Sequence, residues 1–214
     1  MGDHPVPYKI DLESWNRRRH FEIFKGYGDP FFNITAEIDV SELRRHARER
    51  DTSFFAASYF LVLKVVNDIE EFRYRIRDND VVVHDTIHGA CTVLNEDQTF
   101  SFCYFDYHPR FEEFEKHCAR ILEENRTKKS LDPRFDRDDV IHSSVLPWVR
   151  FTSFEHAKRL GSDDSCPKIV LGKCTEESGR FAMPISVSGH HALMDGIHAG
   201  LFFEKYEQYA STLF

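Results

Sequence analysis

The chain has 214 residues, of which 41% are hydrophobic and 30% charged, a profile typical of a folded globular protein. Its formal net charge of -8 at pH 7 argues against nucleic acid or an anionic membrane as the main partner. The cysteines number five and show no C-x-x-C spacing, which favours free thiols in a reducing cytoplasm over a disulfide framework.

The ends and the interior of the sequence carry no targeting or linker pattern. No basic and apolar leader opens the chain, and no apolar run approaches 18 residues, so we expect neither a secretion signal nor a membrane span. Internal repeats and low-complexity tracts are absent from the sequence, and helical and strand patterns alternate along it. We therefore predict a single domain over residues 1–214.

The first third of the chain contains both helical and strand patterns. The spacing of apolar residues predicts a short helix over 11–24, and strict alternation predicts a strand over 31–39. A polar helix is predicted to begin at Ser41. Residues 53–68 are apolar nearly all round, which indicates a helix buried in a core or an oligomer interface.

The middle of the chain begins with a predicted hairpin turn at 78–80, where the sequence reads Asp-Asn-Asp. Strands are predicted near 89–95 and 98–106, followed by an amphipathic helix over 110–126. The polar stretch 127–140 is predicted to be a surface loop.

Three runs typical of strands follow, over 142–153, 167–174 and 181–189, and the last helix is predicted from near Asp195 to about Thr212. The interleaving of helices and strands indicates a two-layer α/β or α+β sandwich.

The segment Gly189-His190-His191-Ala192-Leu193-Met194-Asp195-Gly196 holds the clearest chemistry. A strand delivers two histidines to a turn, where side chains reach a cleft. A histidine placed there is a natural general base, because its ordinary pKa of about 6.5 lies near physiological pH. Asp195 would either pair with an arginine and hold the loop, or orient the His191 ring directly. A histidine pair also suits a metal or a plain strand position, but no carboxylate or thiolate is spaced for a known metal site, so none is expected.

Further motifs extend over nearly the whole chain. They are Trp15-Asn16-Arg17-Arg18-Arg19-His20-Phe21-Glu22, Glu71-Phe72-Arg73, Thr99-Phe100-Ser101 and Ser144-Val145-Leu146-Pro147-Trp148-Val149. With these motifs and the histidine pair, the sequence resembles the chloramphenicol acetyltransferase family, within the coenzyme A-dependent acyltransferases. The resemblance implies a mixed, mostly antiparallel sheet covered by helices. It also implies a homotrimer with active sites between subunits.

The activity implied by the resemblance is chloramphenicol O-acetyltransferase, an antibiotic-resistance enzyme of the cytoplasm. Acetyl-coenzyme A would be a co-substrate and no cofactor would stay bound. Carried over by position, His191 is the general base and acts in a ternary complex without an acyl-enzyme. Ser144 is the oxyanion donor, and Asp195 with Arg17 forms an ion pair that braces the loop. His190 is expected to be structural.

The remaining site residues also follow from the resemblance. Trp148 and Lys173 match positions near coenzyme A, and the positions on the acceptor side are Phe24, Phe100, His156 and Val170.

Two of these positions depart from the family pattern. Val170 stands where many members carry a threonine, and His156 stands where an apolar leucine lines the antibiotic pocket. A related O-acyltransferase acting on a different small hydroxyl acceptor is therefore the second hypothesis. A non-catalytic ligand-binding relative is the third, although a binding protein has no need of the base His191.

Overall fold

The computed structural model describes residues 7–128, 131–134, 137–157 and 164–213. The helices in these ranges are Arg18–Phe24 (α1), Ser41–Glu49 (α2), Phe54–Asp68 (α3), Phe111–Lys128 (α4) and Gly196–Thr212 (α5). The strands are Tyr8–Lys9 (β1), Phe31–Asp39 (β2), Tyr74–Arg77 (β3), Asp80–Val83 (β4), His88–Leu94 (β5), Phe100–Phe105 (β6), Val140–Val145 (β7), Lys168–Leu171 (β8), Thr175–Glu177 (β9) and Arg180–His190 (β10). A 3-10 helix, Glu70–Arg73, follows α3.

Seven strands form the larger sheet, in the order β2-β10-β8-β7-β5-β6, with β9 pairing on β10. Antiparallel pairing joins β10 to β2, β8 and β9, and joins β5 to β6. Only β7, among the described strands, runs parallel to its neighbours β5 and β8. A small antiparallel sheet, β1-β4-β3, lies apart from it. The predicted fold class, a mostly antiparallel sheet with helices, is confirmed.

The main core lies between the larger sheet and the helices. Ile185 and Val187 of β10 are fully buried and belong to one apolar cluster with residues of α3 and α5. The α3 helix is buried along most of its length, as its uniformly apolar sequence predicts. Ser53 begins this helix as its N-cap, because its hydroxyl accepts a hydrogen bond from the Ala56 backbone N–H at 3.2 Å.

A second apolar cluster joins the N-terminal segment to the loop after β10. Phe21, Ala192 and Leu193 are buried in it, and Trp15 and Phe24 pack against it. This cluster fixes the N-terminal segment beside the histidine pair, which explains how residues so distant in sequence meet at one site.

Two predicted elements differ from the structure. The helix predicted over 11–24 covers only Arg18–Phe24, because the Asp11 carboxylate accepts hydrogen bonds from the Glu13 N–H and the Ser14 hydroxyl and makes a turn there. The strand predicted over 142–153 ends at Val145, two residues before Pro147, which cannot donate to a sheet ladder.

Most of the remaining elements follow the prediction, but β8 ends at Leu171, three residues before the predicted end at 174, and β1 and β9 were not predicted. The turn predicted at 78–80 joins β3 to β4, and Asp78 and Asn79 adopt left-handed φ values of 51° and 65°. The predicted surface loop over 127–140 is shorter, since α4 continues to Lys128, and residues 129–130 and 135–136 lie outside the described ranges. No helix in the described parts of the chain is long and apolar enough to cross a membrane.

Candidate active site

The turn that carries His191 begins where β10 ends. The His191 backbone N–H donates to the Pro30 carbonyl at 2.9 Å, and the Leu193 and Met194 N–H groups donate to the His190 carbonyl at 2.9 and 3.0 Å. Gly189 permits this tight return, because a Cβ there would lie 2.4 Å from the Met194 sulfur. The backbone of the turn is therefore fixed on both sides of His191.

The His191 ring is held on one face and along one edge. Phe24 stacks on it with ring centroids 4.1 Å apart and planes within 10°, and Phe32 lies at 5.3 Å. Nδ1 is buried and lies 3.0 Å from Oδ1 of Asp195, at an angle that does not make a hydrogen bond. The side chain is nevertheless 38% exposed, so the open edge of the ring is the one that carries Nε2.

Arg17 and Asp195 form a two-pronged ion pair under this turn. Arg17 Nη1 donates to Oδ2 of Asp195 and Nη2 donates to Oδ1 at 3.2 Å. Nη2 also donates to the His191 carbonyl at 3.3 Å. The hydrogen bond from Arg17 holds the pKa of Asp195 below its usual value, so this carboxylate is ionised at neutral pH. Asp195 thus pairs with the arginine and also faces the imidazole.

His190 occupies a different environment from its neighbour. Its side chain is buried, and Nδ1 accepts a hydrogen bond from the Ala192 backbone N–H at 3.2 Å. Burial lowers the pKa of His190 to about 4, so the ring is neutral at physiological pH. The ring is engaged in holding the turn and has no open edge comparable to that of His191.

Ser144 lies on β7, opposite Thr92 of β5 and Val170 of β8. Its hydroxyl oxygen is 3.2 Å from that of Thr92. Phe102 of β6 pairs with Thr92 and therefore lies on the same face of the sheet. Phe100, two positions earlier on β6, lies on that face as well. Ser144, Val170 and Phe100 therefore share one sheet face, which we call the serine face.

The structure does not bring Ser144 and His191 of one chain together. Ser144 and Ser186 both pair with Val170, so Ser144 lies level with Ser186, two strands away. His191 follows five positions later along the chain. With strands about 4.8 Å apart and about 3.3 Å per residue, the two backbones are roughly 19 Å apart. A base and an oxyanion donor must both reach the same acetyl group, so this distance is too long for one site.

The two residues predicted near coenzyme A share one exposed surface. Trp148 is 57% exposed in the turn after β7, and the Lys173 backbone N–H donates to the carbonyl of the adjacent Val149 at 2.9 Å. The Lys173 side chain is exposed as well. An aromatic ring and a cation beside each other are suited to an adenine nucleotide with phosphates.

His156 is a half-buried residue whose two ring nitrogens are both buried, and neither nitrogen has a hydrogen-bond partner among the described residues. Its ring packs edge-on against Phe154, with centroids 4.9 Å apart. Burial lowers the pKa of His156 to about 4, and the nearby Lys168 ammonium acts in the same direction. Within the described parts of the chain, no group offsets the desolvation cost of this neutral ring.

His142, Asp164 and Cys166 offer ligand atoms within 4.8 Å of one another. Lys168 is buried among them, with Nζ 2.7 Å from Oδ2 of Asp164, and Oδ1 of Asp164 accepts from the Cys166 N–H at 3.0 Å. Both carboxylate oxygens are thus already bonded, one of them to a cation. An ammonium group bonded to the Asp164 carboxylate and the Cys166 carbonyl opposes a metal ion, so the arrangement favours an ion pair.

Two contacts at the site were not predicted from the sequence. Thr92 touches Ser144 across the β5–β7 pair, and His198 bonds to the backbone of Asp195 while facing Glu71. The His198 contact had a signal in the sequence, because His198 follows the helix-capping Asp195 by three residues, the spacing of a capping box. The Thr92 contact had none, since it depends on strand order.

A family model, curated relatives and a solved structure carry the same family name. The family model described as chloramphenicol acetyltransferase matches residues 7–207. Chloramphenicol acetyltransferase 2 of Haemophilus influenzae is 31% identical over 208 residues, covering 96% of this chain and 97% of the relative. Chloramphenicol acetyltransferase 3 of Escherichia coli is 28% identical over 206 residues, covering 95% and 97%. A solved chloramphenicol acetyltransferase superposes with a TM-score of 0.89 at 30% identity, covering 96% of this chain and all of that one.

Proposed function

Because this chain belongs to the chloramphenicol acetyltransferase family, we propose that it transfers an acetyl group from acetyl-coenzyme A to a hydroxyl of chloramphenicol, with His191 as the general base. The observation that carries the assignment of the base is the state of the His191 ring, which is stacked on Phe24, faces Asp195 through Nδ1 and is open at Nε2. Such a ring is fixed in place and still able to take a proton.

The proton route follows from this geometry. The ionised Asp195 beside Nδ1 favours the tautomer that carries the proton there, which leaves the Nε2 lone pair free. Nε2 takes the proton of the acceptor hydroxyl as its oxygen attacks the thioester carbonyl. The tetrahedral oxyanion collapses and expels the coenzyme A thiolate, which takes the proton back from Nε2. The acetyl ester and coenzyme A thiol are the products, and no acyl-enzyme forms.

Ser144 is the donor to the oxyanion in this proposal. If the Thr92 hydroxyl donates to Ser144 Oγ across the 3.2 Å contact, the Ser144 proton is left free for the oxyanion. One such donor is worth about 2.7–4 kcal/mol of transition-state stabilisation. Trp148 and Lys173 would contact coenzyme A, while Phe24, Phe100, His156 and Val170 would line the acceptor side.

The separation of Ser144 and His191 supports an active site shared between copies, in a homotrimer. Each turn with His191 would meet the serine face of the next copy, and a head-to-tail contact of this kind closes into a ring.

The five cysteines are all unpaired, including Cys91 and Cys103, which stand directly opposite each other on β5 and β6. Free thiols in such a position suit a reducing cytoplasm, which is where we place the enzyme.

A thiol-release assay tests the activity. Purified protein with acetyl-coenzyme A and chloramphenicol should release coenzyme A thiol, and His191→Ala should release it at the rate of background hydrolysis. Thiol release that does not depend on chloramphenicol would contradict the proposed acceptor. Full activity in His191→Ala would contradict the proposed base.

Subunit complementation tests the shared site. His191→Ala and Ser144→Ala should each be nearly inactive, but their co-expression should restore activity. With random mixing, about a quarter of the sites would combine an intact histidine from one copy with an intact serine from the next. If the co-expressed variants were no more active than either alone, the site would not be shared.

A further inference from the structure

His198 lies behind the turn that carries His191, in the first turn of α5. Its Nδ1 accepts a hydrogen bond from the Asp195 backbone N–H at 2.8 Å, and its Nε2 lies 3.4 Å from Oε1 of Glu71. The side chains of His198 and Glu71 are 15% and 26% exposed. The acetyl-transfer steps above use neither residue, yet both are held in a contact that reaches the backbone of the catalytic turn.

These two contacts define which nitrogen carries the proton. Nδ1 accepts from an N–H group, so it is unprotonated, and the proton of the neutral ring must sit on Nε2. That nitrogen faces the Glu71 carboxylate, and the hydrogen bond from His198 holds the pKa of Glu71 below its usual value. Glu71 therefore selects the tautomer that can accept from Asp195.

The contact with Asp195 matters because that residue is held at three points. Its carboxylate binds Arg17, its Oδ1 faces the His191 ring, and its backbone N–H binds His198. In a capping box, a glutamate or glutamine at the third helical position normally binds this N–H. Here a histidine takes that place, and a histidine needs a second group to fix its proton.

We propose that His198, with its tautomer set by Glu71, is a positioning residue that fixes the backbone of Asp195 and thereby aligns the His191 base. This inference rests on the proposed function. It gives Glu71, on the 3-10 helix after α3, an indirect role in the alignment of the site.

Three substitutions at His198 separate the two contacts. His198→Ala removes both. His198→Gln supplies the side chain that normally accepts from the N-cap N–H in a capping box, whereas His198→Leu keeps much of the bulk of the ring and offers no acceptor. We expect kcat to fall roughly 10–100-fold in the alanine and leucine variants, with KM for both substrates little changed. The glutamine variant should recover most of the lost kcat.

Controls distinguish alignment from folding. Gln208→Ala alters an exposed side chain of the same helix and should leave kcat and the unfolding temperature unchanged. Equal kcat in the glutamine and leucine variants would overturn the proposal, and so would a loss of kcat that tracks the loss of thermal stability across the series. An unchanged kcat in His198→Ala would overturn it as well.

The tautomer can be measured without turnover. In protein labelled with ¹⁵N-histidine, the His198 ring should carry its proton on Nε2, and Glu71→Ala should shift a measurable share to Nδ1. Glu71→Gln keeps an acceptor oxygen and should retain the Nε2 tautomer. An unchanged tautomer in Glu71→Ala would overturn the role of Glu71. If wild-type protein released no thiol with chloramphenicol, the proposed function would fail, while the tautomer result would still show whether the His198–Glu71 contact exists.

Discussion

Arg17 and Asp195 are 178 positions apart in the sequence, and the guanidinium of Arg17 binds both oxygens of the Asp195 carboxylate. The same guanidinium donates to the carbonyl of His191, so one side chain holds both ends of the catalytic turn. Arg17 is positioned for this by the apolar cluster in which Phe21 packs with Ala192 and Leu193. The N-terminal segment is thus part of the active-site framework.

Removal of this ion pair should reduce both activity and stability. Arg17→Ala leaves the Asp195 carboxylate without its charged donor, and we expect the free energy of unfolding to fall by about 1–3 kcal/mol. We expect kcat to fall roughly 10–100-fold, because the turn loses its alignment. Urea unfolding and the thiol-release assay measure the two effects. Arg19→Ala changes an exposed arginine of α1, the helix that Arg17 precedes, and should alter neither stability nor kcat.

The two adjacent histidines should respond differently to substitution. His191→Gln removes the base and should lower kcat by roughly 10²–10⁴-fold. His190→Asn keeps an acceptor for the Ala192 N–H in place of the buried Nδ1, so it should retain far more activity. Comparison of the two kcat values tests the assignment. An equal loss in both variants would mean that His190 shares in the chemistry.

Ser144 and Thr92 should show a graded effect. Ser144→Ala removes the proposed oxyanion donor and should lower kcat roughly 10²–10³-fold. Thr92→Val removes only the hydroxyl that orients Ser144, so its effect on kcat should be clearly smaller. Both substitutions are close in volume to the original residue, and circular dichroism should be unchanged. A Thr92→Val loss as large as that of Ser144→Ala would indicate that Thr92 itself contacts the reacting group.

Three histidines whose pKa is lowered by burial or partial burial predict a loss of stability in mild acid. Burial lowers the pKa of His142, His156 and His190 to about 4, below the ordinary value of about 6.5 that applies in the unfolded chain. Between these values the unfolded chain binds more protons than the folded protein, so stability falls as pH falls from about 6.5 towards 4. Urea unfolding at a series of pH values measures this slope.

His156→Leu isolates one of these rings. It removes one titrating group, so the free energy of unfolding should fall less steeply as pH decreases from 6.5 to 4. These two values are the pKa of the ring in the unfolded chain and in the folded protein. At pH 7 it should also raise the free energy of unfolding by about 1 kcal/mol, because the ring nitrogens have no partner among the described residues. An unchanged slope would show that His156 is not buried as a neutral ring in solution.

The elements were predictable wherever local patterning decides them. The alternation over 31–39 matches β2, and the uniformly apolar stretch over 53–68 became the buried helix α3. Prediction failed where side chains compete with the backbone for hydrogen bonds. The Asp11 carboxylate accepts from the Glu13 N–H and the Ser14 hydroxyl, and the turn that results replaces the first part of the predicted helix. Resemblance to the family supplied the identities of His191, Ser144, Arg17 and Asp195, and the structure brings three of these four together.

The sequence by itself determined the chemistry available to this protein, because the His191-to-Asp195 turn and its arginine partner are encoded as residue types at recognisable positions. Only the tertiary structure decided the distances between them. Strand order places Ser144 level with Ser186, two strands away from β10, and this is a property of the sheet that no local pattern specifies. The same holds for the ring nitrogens of His156, which are buried without a partner among the described residues, and for the contact of His198 with Glu71. Each depends on which distant segments pack together.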